Sequence, residues 1–173
     1  MQQNQNAYVR IVDGVTTFIA RYVKYLAHVI LILLVFEVIS RRFFHAPTDW
    51  NFWVTKEVFA VYFLLIAPYG MLRKTNIRID IFYANWSQRT KDIIDLIGMT
   101  LVWCTVNIIV IIWGSAYAIN AYKVNELTAS VAYQMPYWPF KGLIIVAYIL
   151  LFFQAISEII KILQRLLAKG EKA

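Results

Sequence analysis

An all-α integral membrane protein, crossing the bilayer with four transmembrane helices as a single membrane domain over residues 1–173, is the fold class that the sequence predicts. Three observations predict it. Hydrophobic residues make up 61% of the 173-residue chain and charged residues 16%, where a soluble domain carries about a quarter charged. Four apolar stretches each reach the length of about 20 residues that a helix needs to cross about 30 Å of hydrocarbon. Basic residues gather on one side of those stretches. The mean hydropathy of +0.59 agrees, and the 16% aromatic share suits helix ends seated among lipid headgroups. In a soluble protein a net charge of +7 would raise nucleic acid as a partner. Beside apolar spans the same charge faces anionic phospholipid instead, and no nucleic-acid role is expected.

The predicted spans cover residues 22–44, 52–72, 93–121 and 138–160. Pro47 closes the first turn, and Thr48 or Asp49 is placed to cap the second helix. Asn85 followed by Gln88 resembles a capping box ahead of span three. Asp92 and Asp95 sit near that helix's start, where the macrodipole favours negative charge. Pro136 and Pro139 mark the start of span four, where a missing N–H costs little.

Orientation follows from the basic residues. Arg10, Arg21 and Lys24, then Arg73, Lys74, Arg78, Arg89 and Lys91, then Lys161, Arg165, Lys169 and Lys172 put twelve on one side. Arg41, Arg42, Lys56, Lys123 and Lys141 put five on the other. The richer side is expected to be cytoplasmic, with both termini there. Trp50, Trp53, Tyr133, Tyr137 and Trp138 then form an outer aromatic belt. The opening MQQNQNAYVR lacks the short apolar core and small-residue site of a cleavable signal peptide, and none is expected.

Amphipathic helices flank the spans. Val12, Val15, Ile19, Tyr22 and Leu26 recur at helical spacing, with Arg10, Thr17, Arg21 and Lys24 on the other face. In the tail, Ile159, Leu163, Leu166 and Leu167 oppose Glu158, Lys161, Arg165 and Lys172. Such segments either lie in the interface plane or extend spans one and four. The alternation Ile77-Arg78-Ile79-Asp80-Ile81-Phe82 fits an extended segment or a short helix.

Ionisable groups inside spans are functional candidates by default. Glu37 is followed at i+4 by Arg41, the favourable order for an ion pair on one helix. That pair either neutralises itself or contacts another subunit. Lys56 and Glu57 point about 100° apart, so at least one faces protein, and Glu57 is within reach of Arg41 or Arg42 across the hairpin. Asn107 and Thr105, mid-span, suit helix–helix hydrogen bonds. Arg41, Arg42, Asp49, Glu126 and Lys141 are expected to share the outer surface, as a docking patch or as headgroup anchors.

Other chemistry finds little footing. The single Cys104 sits in an apolar run, which leaves no disulfide framework and no cysteine zinc site. His28 and His45 stand 17 residues and about 25 Å of helix apart, too far to share a haem. No H-E-x-x-H, G-x-S-x-G or phosphate-binding glycine loop is present, so no catalytic, cofactor or metal residue is assigned. No span carries the central glycine–proline break at which carriers hold substrate. These readings reach an accessory membrane subunit. The alternative is a membrane anchor of a respiratory or other enzyme complex, which predicts a bound haem or quinone; a third is an autonomous small channel or carrier.

Arg41 or Arg42 at the end of span one, then Pro47, Trp50 and Glu57, then Gly70-Met71-Leu72-Arg73, carry a resemblance. It continues through Asn76-Ile77-Arg78-Ile79-Asp80-Ile81-Phe82-Tyr83, Ser87-Gln88-Arg89-Thr90-Lys91 and Ile94-Asp95-Leu96-Ile97-Gly98. Asn125-Glu126-Leu127-Thr128 and Pro136-Tyr137-Trp138-Pro139-Phe140-Lys141 extend it. In this order and spacing the chain resembles the small membrane subunit, the DctQ family, of tripartite ATP-independent periplasmic (TRAP) transporters. Asn76 replaces the usual histidine, and Thr128 stands where serine is common. The resemblance implies a multi-pass protein of the bacterial inner membrane that is not an enzyme and holds no cofactor. It implies two protein partners: a large DctM-type subunit carrying substrate with sodium, and a periplasmic DctP-type binding protein delivering an organic anion, a carboxylate or sulfonate. The small subunit would brace the large one and help dock the binding protein. Docking or intramembrane polar roles would fall to Glu37, Arg41, Arg42, Asp49, Glu57, Glu126 and Lys141.

Overall fold

The computed structural model describes residues 6–73, 86–128 and 134–170. The alternation at 77–82 and the 76–83 motif lie outside the described residues, as do Lys74, Asn85, Tyr133 and Lys172.

Helix α1 spans Ala7–Val23 and α2 spans Leu26–Phe43. Between them the chain tightens. Tyr25 N–H donates to Tyr22, Ala27 to Lys24 and His28 to Tyr25, all three residues back, a 3₁₀ step of the kind that divides helices. Helix therefore reaches further back than the expected start at residue 22. A straight rod over Ala7–Phe43, 37 residues, would measure about 55 Å, nearly twice the hydrocarbon thickness. The 18 residues of α2, about 27 Å, are enough to cross alone.

α2 ends at His45, whose φ of 51° is left-handed. The Ser40 carbonyl accepts from both Phe44 and Ala46, and the Ser40 hydroxyl donates to the Ala46 carbonyl at 2.7 Å. Pro47 follows, and α3 runs Asp49–Leu72. Thr48 occupies the N-cap position but makes no capping bond; its hydroxyl is engaged elsewhere, as described below.

Helix α4, Gln88–Ile97, is capped by Ser87, whose Oγ accepts from Thr90 N–H at 3.2 Å. Ser87 has the extended conformation of a capping residue, so the expected Asn85–Gln88 box does not start this helix. The helix continues through a π segment, Gly98–Cys104, into α5, Thr105–Lys123. Span three is thus longer than residues 93–121 and underwound in the middle, which the sequence reading did not foresee. α5 ends in a Schellman closure. Asn125 takes the left-handed position with φ 51°, Glu126 N–H bonds the Ala121 carbonyl, and Asn125 N–H bonds Tyr122.

The last helix, α6, runs Trp138–Gly170 with Pro139 in its first turn. Its 33 residues, about 50 Å, outrun the bilayer, so the tail flank extends span four. Among the described residues, four helices are long and apolar enough to cross a membrane. α6 is central: it packs on α5, α3, α1, α4 and the π segment. Buried Ala147, Ala155 and Ser157 on α6, with Ala121 on α5 and Ala20 on α1, let backbones approach closely. In its most apolar window 33% of α6 is enclosed, against 6–11% for the other three. The outward faces of α2 and α5, with Ile32, Val38 and Trp113 each more than 60% exposed, require lipid or another membrane protein as cover.

Candidate functional site

Polar side chains form three groups within this bundle. The first lies in the α2–α3 hairpin. Glu37 Oε1 accepts from Arg41 Nη2 at 2.9 Å, one turn on. Its Oε2 accepts from the Thr48 hydroxyl and from Asn51 Nδ2 at 3.2 Å. Asn51 Nδ2 also donates to the Leu33 carbonyl at 3.0 Å. A carboxylate taken out of water must be paired and hydrogen-bonded, and this one meets three donors of its own chain. The Arg41 side chain remains 69% exposed, against 17% for Glu37. Lys56 is exposed, with Nζ 5.1 Å from the Trp53 ring centre. Glu57 is half-buried; Arg42 and Asp49 are exposed beside the turn.

The second group closes the α5–α6 loop. Lys141 Nζ meets Glu126 Oε2 at 2.6 Å while the lysine is only 6% exposed. The ammonium lies 3.7 Å from the Tyr117 ring centre and 5.4 Å from that of Tyr137, a cation–π arrangement. Backbone bonds hold the acid in place: Tyr137 N–H donates to the Glu126 carbonyl, and Thr128 N–H to Met135. The five charges expected on one surface have these partners and exposures. Arg41 is engaged by Glu37 and Lys141 by Glu126, in separate hairpins, and Arg42 and Asp49 remain at the rim.

The third group was not anticipated from the sequence. Asp13 Oδ1 on α1 accepts from Gln154 Nε2 at 3.1 Å and Ser157 Oγ at 3.0 Å, and Asp13 Oδ2 meets Lys161 Nζ at 2.7 Å. Lys161 also bonds Glu158 at 2.6 Å, and Thr16 donates to Gln154 at 2.7 Å. Arg165 and Gln88 both approach Asp92 Oδ1 at 3.4 Å. Glu158, Lys161 and Arg165, read from sequence as part of the tail's polar face, pack against α1 and α4; Glu158 is 2% exposed. On α1 the packed residues are Val9, Thr16, Ala20 and Val23. Val15 and Tyr22 of the expected apolar face are 44% and 59% exposed. Polar residues at helical spacing line each helix, Asp13 and Thr16 on one and Gln154, Ser157, Glu158 and Lys161 on the other, but that spacing does not say which faces meet. Tyr8 and Thr16, about 12 Å apart along α1, both meet the Phe153–Gln154 step, so α1 crosses α6 rather than running beside it.

Asn107 departs from expectation as well. Its Nδ2 donates to Trp103 O, four residues back in its own chain, at 2.7 Å instead of to another helix. It takes a carbonyl at the end of the π segment, where the wider register disturbs the α-helical ladder. Thr105 is exposed.

Between α2 and α3 lies a cavity of about 320 Å³. Ile30, Leu34, Phe52 and Phe59 line it, together with Glu37, Arg41, Asn51, Thr55 and Lys56, and the surface it presents is almost wholly apolar. Two inaccessible atoms of these residues, Asn51 Oδ1 and Thr55 Oγ1, have no hydrogen-bond partner.

Set beside known protein families, residues 30–165 match the one described as tripartite ATP-independent periplasmic transporters, DctQ component. No curated protein matches the chain, and no solved structure does.

Proposed function

The chain belongs to the DctQ family, a component of tripartite ATP-independent periplasmic transporters rather than an enzyme, and from that membership we propose that it braces a large sodium-coupled transport subunit in the bacterial inner membrane. The observation that carries this reading is the extent of the family match, which takes in all of α3, α4, the π segment and α5, and most of α2 and α6. Two physical features support it. The polar groups inside the bundle are turned chiefly on one another, as suits a scaffold. The outward faces of α2 and α5 are broad and apolar, as suits a chain that packs against a larger membrane protein.

The twelve-to-five division of basic residues supports cytoplasmic termini. The two hairpin ends, with Arg42 and Asp49, then face the periplasm, where a binding protein delivering a carboxylate or sulfonate would meet them. Rim charges of this sort set encounter rate and register more than affinity. A cysteine placed at Lys172 is expected to stay unlabelled by an impermeant reagent in intact cells, and labelling there would reverse the orientation. The partnership is tested by co-expression with a large membrane subunit of a tripartite transporter. The two chains should co-purify in mild detergent, and consistent failure to do so would remove the bracing role.

A further inference from the structure

Helix α5 packs on α6, and of its 19 residues only Asn107 and Ala121 are buried. Away from that side, Val106, Ile109, Trp113, Ala116 and Asn120 are all exposed and recur at steps of 3, 4, 3 and 4 residues. At about 100° per residue they share an arc of about 80°. A seam of period 3.5 is one that a second helix can follow along its length. Trp113 stands at the middle of the seam and is 74% exposed. The 10 residues from Trp113 to Lys123, at the basic end of α5, measure about 15 Å, half of the hydrocarbon thickness of about 30 Å. Tryptophan ordinarily sits at headgroup depth, where its N–H finds a partner. At the bilayer centre acyl chains offer none, and the indole makes no hydrogen bond among the described residues. Other outward positions differ. Leu31, Ile32, Val35 and Val38 on α2, and Ile108 and Ile119 on the flank of α5, are exposed and aliphatic, and acyl chains cover them without loss.

We propose that the Val106–Asn120 seam of α5 is the face on which a transmembrane helix of the large transport subunit packs, and that this helix carries a hydrogen-bond acceptor opposite Trp113. The proposal rests on the bracing role and names its contact face. A second copy of this chain does not serve as the occupant. Two copies share one orientation in the membrane, so seam would meet seam residue for residue. Trp113 would then face Trp113, two donors with no acceptor, between Ile109 and Ala116, whose side chains supply none. A different helix with a Ser or Thr hydroxyl, or an Asn or Gln amide, at that depth does supply one. Ala116, one turn from the indole, is small enough to let that helix come close.

The test uses the full chain co-expressed with the large subunit. A benzophenone amino acid at Ile109 or Ala116 is expected to give a covalent adduct with the large subunit on irradiation. The same group at Ile108 or Ile119, about 140° and 120° round the helix from Trp113, is expected to give none. Trp113→Phe keeps a ring and removes the N–H. Competing with the parent chain for the large subunit, it should be retained about threefold less, the size of one interhelical hydrogen bond, while the isolated chain unfolds at the parent's temperature. A Trp113→Phe chain that competes as well as the parent would overturn the proposal. Adducts from Ile108, Ile119 or α2 positions and none from the seam, with the two chains still co-purifying, would overturn it and leave the bracing role standing on another face. Adducts between two copies of this chain would overturn it as well. If the chains never co-purify, the bracing role and the proposal fall together.

Discussion

The two ends of the bundle handle buried charge differently. At the hairpin end, Glu37 is satisfied by residues 4, 11 and 14 positions away, and Lys141 by one 15 positions away. At the end where α1 crosses α6, the bonds to Asp13 and Thr16 join residues 138 to 148 positions apart. The hairpin end ties neighbours together; the terminal end ties the first helix to the last. Helices in lipid gain little from apolar contact with one another, because lipid is as apolar as leucine. A polar clamp at the terminal end therefore does what a hydrophobic core does in water, and α1 depends on it.

The largest expected effect follows from that dependence. Asp13→Ala removes the acceptor shared by Lys161, Ser157 and Gln154; Lys161 keeps Glu158 and Gln154 keeps Thr16, but the fully buried Ser157 hydroxyl loses its partner, a cost of about 1–3 kcal/mol. Thermal unfolding in detergent should show it, along with new protease cleavage within α1. A variant as stable as the parent, with α1 still protected, would mean that apolar contacts alone seat this helix.

A smaller loss is expected at the hairpin end. Glu37→Ala frees Thr48 and Asn51, but these bonds join only adjacent helices of one hairpin, which the turn already holds together. Its unfolding midpoint should fall by less than that of Asp13→Ala. Double-mutant cycles sharpen the point: coupling of Glu37 to Asn51 should exceed coupling to Arg41, whose side chain is mostly solvent-exposed. The reverse order would make the Glu37–Arg41 pair the main tie of the hairpin.

These differences explain what the sequence made legible. Four crossings, the Glu37–Arg41 pair and the Pro47 and Pro136 boundaries depend on residues near one another, and spacing alone exposes them. The α1–α6 clamp depends on which faces meet across nearly the whole chain, and spacing carries no such information. Glu158 consequently read only as part of the polar face of an amphipathic flank, and Asp13 drew no reading at all. The cap at Ser87 was missed because Asn85 and Gln88 offered an equally good pattern three residues apart. The π segment has no glycine–proline signature; its nearest sign was Asn107, whose side chain takes the Trp103 carbonyl.

The least effect on stability is expected at the exposed rim. Arg42→Glu should change folding by no more than about 0.5 kcal/mol, as is usual for surface positions, and should leave assembly intact. Uptake should slow at limiting binding protein and low salt, where screening is weakest. Unchanged uptake under those conditions would make the rim a headgroup anchor rather than a docking surface.

The central claim is that this chain is the small subunit of a three-part transporter, and reconstitution addresses it most directly. Vesicles containing the large membrane subunit would be supplied with binding protein, substrate and a sodium gradient, with and without this chain. Substrate accumulation is predicted only when this chain is present, and none with this chain alone. Full uptake without it, or transport by it alone, would contradict the account.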